Sequence, residues 1–373
     1  MRNGGFVTIR RLHVISWRDL DDTGAGGSEL HINELARRWA ASGIDVTIRT
    51  GAVQGAASDI RRDGYRVVRR GGQLSGLVRS PLSEVLRGQG PRDALVEVWH
   101  GINFLAPLWC RGPRVGIEHH VHGDQFRFVL PGPAARVAEV LERRVYPRVY
   151  RSTPLVTLSP SNRDELIALG YSADDVVVVP PGIAERYTPG GARSAHPSVL
   201  VVGRLMPQKR VEVLAEALAP LRSTLPDLEL VVVGDGPDRE RLARVLPSWA
   251  HLRGKVRDDE LVDAYRTAWV VASASIAEGW NMTLTEAGAC GTPSVATRIP
   301  GHTDAVVDGV TGVLADDVAG LTAAFDRLLG DAGLRAELGG AAAVRARAFT
   351  WDAAADAVLD VLERQVAAAA RIR

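Results

Sequence analysis

The chain has 373 residues, enough for two hydrophobic cores of ordinary size. Its 45 lysines and arginines balance 44 aspartates and glutamates, so no global charge excess favours nucleic acid as a partner. Hydrophobic residues make up 46% and charged residues 24%, as in soluble globular proteins.

The two cysteines, Cys110 and Cys290, are too few for a disulfide framework or a cysteine-rich metal site, and a reducing cytoplasm fits them best. Met1 to Ile15 has scattered charges and no apolar core of signal-peptide length. The longest apolar runs, such as Val176–Val179 and Ala268–Ala274, are strand-sized. A cytoplasmic protein, soluble or peripheral at the inner face of a membrane, is expected.

Short β-branched runs alternate with amphipathic helical segments. The first half predicts strands at Leu12–Ser16, Val46–Arg49, Tyr65–Val68, Leu95–Trp99, Val115–Glu118, Leu155–Leu158 and Val176–Val179. The second half predicts Val199–Val202, Leu228–Val233, Trp269–Ala272 and Ser294–Ala296. Several are continuously apolar, as strands covered on both faces are. Between them, Ser28–Ala41 puts Leu35 and Trp39 on one helical face and stops at Gly43. Another helix starts at Pro160 after Ser159 and ends at Gly170. The alternation predicts an α/β protein with parallel sheets and right-handed crossovers.

The pattern resets in the Pro- and Gly-rich stretch Pro180–Pro197. Two Rossmann-like domains are therefore expected, 1–185 and 186–351, facing a central cleft. A last helix at about 352–373 is expected to pack back on the first domain.

The strongest local constellation is Glu278–Glu286, EGWNMTLTE. With Glu278 in a loop and a helix starting near Asn281, the free N–H groups of the helix end suit a pyrophosphate, flanked by two carboxylates that accept hydroxyl hydrogen bonds. An ordinary loop acid followed by a surface helix acid has the same spacing. Gly203-Arg204 and Lys209 follow a predicted parallel strand, where open α/β sheets bind ligands. Arg204 can grip a phosphate by its fork and Lys209 as a point charge.

Gly24-Ala-Gly26-Gly27, ahead of the first helix, lacks G-x-G-x-x-G spacing, and a structural turn fits it as well as a phosphate approach. Glu118-His119-His120-Val-His122-Gly-Asp124 gathers three of nine histidines at a strand end. Its H-x-H-x-D spacing is that of metal hydrolases, but Gln125 stands where a further His is needed. Asp19-Leu-Asp21 matches D-x-D, and a solvated turn is the expected reading, with no essential metal. Ala134–Arg151 carries Arg136, Arg143, Arg144, Arg148 and Arg151 amid Val137, Val140, Leu141, Val145, Tyr146 and Tyr150. That basic amphipathic pattern suits an anionic membrane surface, although an ordinary helix with a solvated basic face is favoured.

Taken together, these residues resemble the large family-4 retaining glycosyltransferases of the GT-B fold. The likeness extends through Leu158-Ser-Pro-Ser161, Pro180-Pro-Gly-Ile183, Val233-Gly-Asp-Gly-Pro237, Pro300-Gly301 and Asp308-Gly-Val-Thr-Gly312. It implies that Arg204 and Lys209 bind a donor diphosphate, Glu286 the ribose and Glu278 the transferred sugar. It implies backbone contacts at Gly26, Gly27, Gly203, Asn281, Met282 and Thr283, and a nucleobase pocket near Gly234, Gly236 and Val256. His120 would approach the sugar, with His119 and His122 as alternates. Ala184 stands where the hinge often has Asp, Asn281-Met-Thr283 replaces the commoner Gly-Leu-Thr, and His302 stands where Leu is frequent.

The expected activity is transfer of a hexose from UDP- or GDP-hexose to a glycan, lipid or small-molecule hydroxyl. It would proceed by a front-face, metal-independent mechanism with no cofactor beyond the donor. Alternatives are a nucleotide-sugar epimerase, a noncatalytic sugar-nucleotide binder and an NAD dehydrogenase.

Overall fold

A computed structural model describes residues 9–371; the remainder, including the first eight of the Met1–Ile15 stretch, lie outside the described residues. Contacts divide the chain into two compact units. One runs to Gly182 and resumes at Trp351, and the other is Ile183–Thr350. The breaks fall at 182/183 and 350/351, against the expected 185/186 and 351/352.

The first unit holds β1 (Arg11–Ile15), β2 (Asp45–Thr50), β3 (Asp59–Arg62), β4 (Tyr65–Arg69), β5 (Ala94–Trp99), β6 (Arg114–Glu118), β7 (Leu155–Thr157) and β8 (Val176–Val178). Their order in the sheet is β3-β4-β2-β1-β5-β6-β7-β8. Every residue of β5 is buried, as helices on both faces require. The second unit holds β9 (Ser198–Val202), β10 (Glu229–Val233), β11 (Ala250–Gly254), β12 (Val270–Ser273), β13 (Ser294–Thr297) and β14 (Gly312–Ala315), ordered β11-β10-β9-β12-β13-β14. All the paired strands of this sheet are parallel. Its core gathers Val199, Leu214, Leu230, Val270, Phe325 and Leu328.

The expectation of parallel pairing throughout needs one correction. β3 runs antiparallel to β4 across Asp63-Gly64, whose φ values of 43° and 91° are those of a two-residue hairpin turn. The strand itself, DIRR, lies at the sheet edge and lacks an apolar run. Sequence periodicity also misses edge strands β11 and β14, the first because it alternates exposed and half-buried residues.

The helix Trp351–Arg371 packs on the helix Gly27–Ala41. Trp39 Nε1 donates to the Ala355 carbonyl at 3.0 Å, and Arg38 Nε reaches Asp352 at 2.6 Å. The basic segment is helical but not as its pattern suggests. A π-helical turn, Leu141–Val145, separates the helices Gly132–Val140 and Tyr146–Val149. Ala135, Ala138, Glu142, Tyr146 and Tyr150 face inward, while Val137 and Val140 are 60% and 50% exposed. Among the described residues, no helix is long and apolar enough to cross a membrane.

Candidate active site

In an open parallel sheet, the loops after the two strands where the order reverses splay apart and leave a crevice at the strands' carboxyl ends. In the second unit those strands are β9 and β12. The loop after β9 carries Gly203, Arg204 and Lys209; the loop after β12 carries Glu278 and Asn281. Gly203, Arg204, Lys209, Ser273 and Asn281 line one small pocket.

Lys209 ends a 3-10 turn, Pro207–Lys209, and its ammonium donates to Glu278 Oε1. Ser275 Oγ donates to the same oxygen at 2.7 Å. Burial opposes ionisation of Glu278, but Lys209, the His302 ring and the hydrogen bonds from Lys209 and Ser275 outweigh it. The carboxyl is held below its ordinary range. Glu278 is therefore a fixed anion beside a cation, in a loop four residues ahead of the helix Met282–Ala289.

Asn281 caps that helix in the left-handed conformation, φ 54° and ψ 77°, without capping it by its own side chain. Its amide instead turns inward: Nδ2 donates to Ser273 Oγ at 3.0 Å and meets His302 Nε2 at 2.9 Å, and Oδ1 accepts from Thr283 Oγ1 at 2.7 Å. Met282 and Thr283 form the half-buried first turn. Glu286 is buried one turn further on and accepts from Tyr265 Oη at 2.8 Å. Burial pushes its carboxyl up to about 7, against the opposing pull of Tyr265 and Arg186.

Gly234 and Gly236 are dictated by packing. A Cβ on Gly234 would lie 1.9 Å from the Gly203 carbonyl oxygen, and one on Gly236 would lie 2.3 Å from that of Leu205. The turn after β10 is thereby pressed onto the loop after β9. Val256 lines a groove of about 350 Å³ with Val231, Val233, Arg253 and Glu260.

In the first unit, the order reverses between β1 and β5. Gly26 and Gly27 are exposed at the start of the helix Gly27–Ala41, where Gly26 N donates to Glu29 Oε2 at 2.8 Å. Arg18 Nη1 donates to the Gly24 carbonyl at 2.8 Å. The histidine cluster divides. His119 is buried with its Nε2 3.2 Å from His31 Nδ1, and burial drives it well below the ordinary imidazole range. His120 and His122 are half-buried, with ring centroids 4.2 Å apart.

Side chains hold the turn of these histidines from below. Glu118 accepts from His120 N at 3.3 Å, Asn162 from Val121 N at 2.9 Å, and Glu142 from His122 N and Gly123 N at 2.8 Å each. Glu142 sits on the π-helical turn, whose extra residue re-aims side chains.

The D-x-D pair is not a solvated turn. Asp19 is buried and accepts from Arg62 and Arg69 at 2.9 Å each, and Asp21 pairs with the same two guanidiniums. Asp124 of the H-x-H-x-D spacing is 84% exposed and pairs with Arg127. Among the described residues no three His, Cys, Asp or Glu side chains are grouped as metal ligands.

Known families match both units. A model described as Glycosyl transferase 4-like domain covers residues 26–182, and one described as Glycosyl transferases group 1 covers 196–331. The D-inositol 3-phosphate glycosyltransferase of Xylanimonas cellulosilytica is 33% identical over 96% of this chain and 96% of its own. That of Acidothermus cellulolyticus is 31% identical over 93% of this chain and 89% of its own. The chain belongs to the group 1 glycosyltransferases.

As a glycosyltransferase it is an enzyme, and the epimerase, dehydrogenase and noncatalytic alternatives give way. Sucrose-phosphate synthase of Thermosynechococcus elongatus superimposes with a TM-score of 0.82 at 21% identity, covering 96% of this chain and all of the other. Anabaena HepE, solved with UDP and glucose, gives 0.73 at 18% identity over 95% of this chain and all of its own. At those identities the likeness is one of fold, and the fold is GT-B.

Sequence reasoning missed several residues that the structure places around the candidate site. Ser273 and Ser275 carry no local signal, because each acts through a neighbour across the loop. Tyr265 lies on the helix Asp258–Thr267, and its link to Glu286 spans 21 residues. Glu142 and Asn162 were readable only as polar positions in amphipathic helices.

Proposed function

We propose that this glycosyltransferase moves a hexose from a UDP- or GDP-hexose to an acceptor hydroxyl, with retention at the anomeric carbon and without a metal ion. The observation that carries the reading is the meeting of Lys209 with Glu278 between the loops after β9 and β12. A cation and a fixed anion there suit a diphosphate and the hydroxyls of the sugar attached to it. Arg204 and Lys209 take the diphosphate, Glu278 the transferred sugar and Glu286 the ribose. The backbone at Gly203 and Asn281–Thr283 completes the phosphate and sugar contacts, and Gly234, Gly236 and Val256 line the base.

As the bond from the anomeric carbon to the diphosphate oxygen breaks, the acceptor oxygen bonds to the same face. Its proton passes to the departing phosphate oxygen. Arg204 and Lys209 neutralise the charge that grows there, the kind of preorganised stabilisation worth about 3–4 kcal/mol per donor. His120, with the Gly26-Gly27 turn, is assigned to substrate contact from the first unit. HepE's complex with UDP and glucose ranks UDP-hexose first among donors to test. The relatives named D-inositol 3-phosphate glycosyltransferases rank a phosphorylated cyclitol first among acceptors.

A thermal-shift panel of UDP-, GDP- and ADP-sugars identifies the donor, since a ligand that binds the folded state raises its stability. Arg204→Ala is expected to lower donor turnover about 10²–10³-fold. Intact turnover in both Arg204→Ala and Glu286→Ala overturns the assignment. A membrane-peripheral location is supported by exposed Val137 and Val140 beside Arg136, Arg143 and Arg144. Failure to float with anionic vesicles at low salt removes it.

A further inference from the structure

Two positions depart from the family pattern in sequence, Asn281 for Gly and His302 for Leu, 21 residues apart. In the structure they touch, Asn281 Nδ2 lying 2.9 Å from His302 Nε2. His302 is wholly buried, and its Nδ1 lies 2.7 Å from the Thr297 carbonyl oxygen, which can only accept. Nδ1 therefore carries the proton, and Nε2 offers a lone pair to the Asn281 amide.

The second amide hydrogen of Asn281 goes to Ser273 Oγ at 3.0 Å. Ser273 Oγ is 3.1 Å from Ser275 Oγ, and Ser275 spends its hydrogen on Glu278 at 2.7 Å. Ser273 must then donate to Ser275, which fixes the direction of every link. One ordered chain runs from the Thr297 carbonyl through His302, Asn281, Ser273 and Ser275 to the Glu278 carboxylate that Lys209 also engages.

The same turn supports Glu278 a second way. A Cβ on Gly301 would lie 2.4 Å from the Glu278 carbonyl oxygen, so the backbone just before His302 is pressed against that of Glu278. Glycine adopts the left-handed conformation at little cost, whereas Asn281 holds it with side-chain bonds to three neighbours.

We propose that Asn281 and His302 act as one positioning unit that sets both the start of the helix Met282–Ala289 and the orientation of Glu278 for the donor. This rests on the assignment of that loop to the donor. The unit requires neutral His302. A proton on Nε2 would face the Asn281 N–H. To keep a hydrogen bond the amide would have to turn over, withdrawing its hydrogen from Ser273 and disordering the chain to Glu278.

The charged groups acting on the ring are Glu278 and Lys209. Burial, with Lys209, outweighs Glu278 and the hydrogen bond that the ring donates to the Thr297 carbonyl, and keeps the imidazole below its ordinary range. The arrangement therefore holds at neutral pH and is lost as pH falls through that depressed value.

The test is a double-mutant cycle with UDP-glucose and GDP-glucose, which carry the sugar that Glu278 is assigned to hold, as calorimetric probes. Asn281→Gly and His302→Leu are each expected to weaken nucleotide-sugar binding about tenfold by leaving a buried partner unsatisfied. The double variant, with glycine free to be left-handed and leucine filling the ring's place, is expected to return to within about threefold of wild type. His302→Gln keeps an acceptor for Asn281 and cannot titrate. It should bind as wild type does at neutral pH and better than wild type once the pH is low enough to protonate His302 in the wild-type protein. Glu286 titrates in every variant alike, so the ratio of the two affinities isolates His302.

Additive losses in the double variant, or a wild-type pH profile in His302→Gln, would overturn the proposal. If wild type binds neither nucleotide sugar, the donor assignment fails instead. The pair is then judged by the same cycle read in thermal unfolding and by nitrogen NMR of the ring, where a proton on Nε2 at neutral pH refutes it.

Discussion

Lys209 donates to Glu278 across the point where the second sheet reverses its strand order. The two residues are 69 apart in sequence, and Lys209 helps to hold the Glu278 carboxyl ionised in a partly buried place. Lys209→Ala is expected to lower kcat/KM for the donor about 10²–10³-fold, and Glu278→Gln about 10–10²-fold. Because each single change also strands its partner, the double variant should lose less than the product of the two. Steady-state turnover of the four proteins measures this.

Glu286 gives a pH dependence of opposite sign in folding and in binding. Its carboxyl is raised to about 7 from an ordinary 4.5 by burial, so the native state holds a proton the unfolded chain has released between those values. Stability from this group is present below about 4.5 and falls as pH rises to about 7. Glu286→Gln should remove that decline in denaturant titrations. Ribose hydroxyls favour the ionised carboxylate, so donor binding to wild type should release a proton near neutral pH. Calorimetry in buffers of different ionisation enthalpy reads that release.

Asp19 anchors Arg62 and Arg69 of the β3–β4 hairpin to the loop after β1. Burial works against its ionisation, but the two guanidiniums and the Asp21 N–H hold its carboxyl below the usual range. Its contribution is therefore present at neutral pH and lost as pH falls through that depressed value. Asp19→Asn leaves two cations poorly matched and should cost about 3 kcal/mol in urea unfolding at neutral pH. If metal chelators rather than this substitution impaired the enzyme, the D-x-D pair would have been misread.

Glu142 takes the hydrogens of two successive N–H groups, those of His122 and Gly123. Glu142→Ala leaves both without an acceptor and should lower stability by about 2–4 kcal/mol. Glu142→Gln keeps one acceptor oxygen and should lose about half as much. Hydrogen exchange at His122 and Gly123 should quicken more than at Val121, whose acceptor is Asn162.

Local pattern carried much of the fold because buried parallel strands such as Ala94–Trp99 are apolar but for one residue, Glu97, and need no distant information. Strands β3 and β11 failed that test for a physical reason: each sits at a sheet edge and faces solvent, so neither needs an apolar run. The Asp63-Gly64 dipeptide marked the hairpin, and its turn chemistry was the overlooked clue.

At the candidate site, Lys209 after a strand and Glu278 before a helix were legible as positions. Their meeting was not, because it depends on which strands become neighbours. Asn281 and His302 stood out singly as departures, and only folding makes them a pair. The histidine doublet was ambiguous for a similar reason, since His31, 88 residues away, is what draws His119 inside.

The helix Trp351–Arg371 has a consequence for how the enzyme is made. Residues up to Gly182 leave the ribosome first, yet Trp39 acquires its acceptor, Ala355, only when nearly the whole chain has been synthesised. Ile183–Thr350, a continuous stretch, has no such wait. The N-terminal unit, though translated first, is thus completed last, and a chain stopped at Thr350 would leave Trp39, and His31 beside Trp351, without their cover.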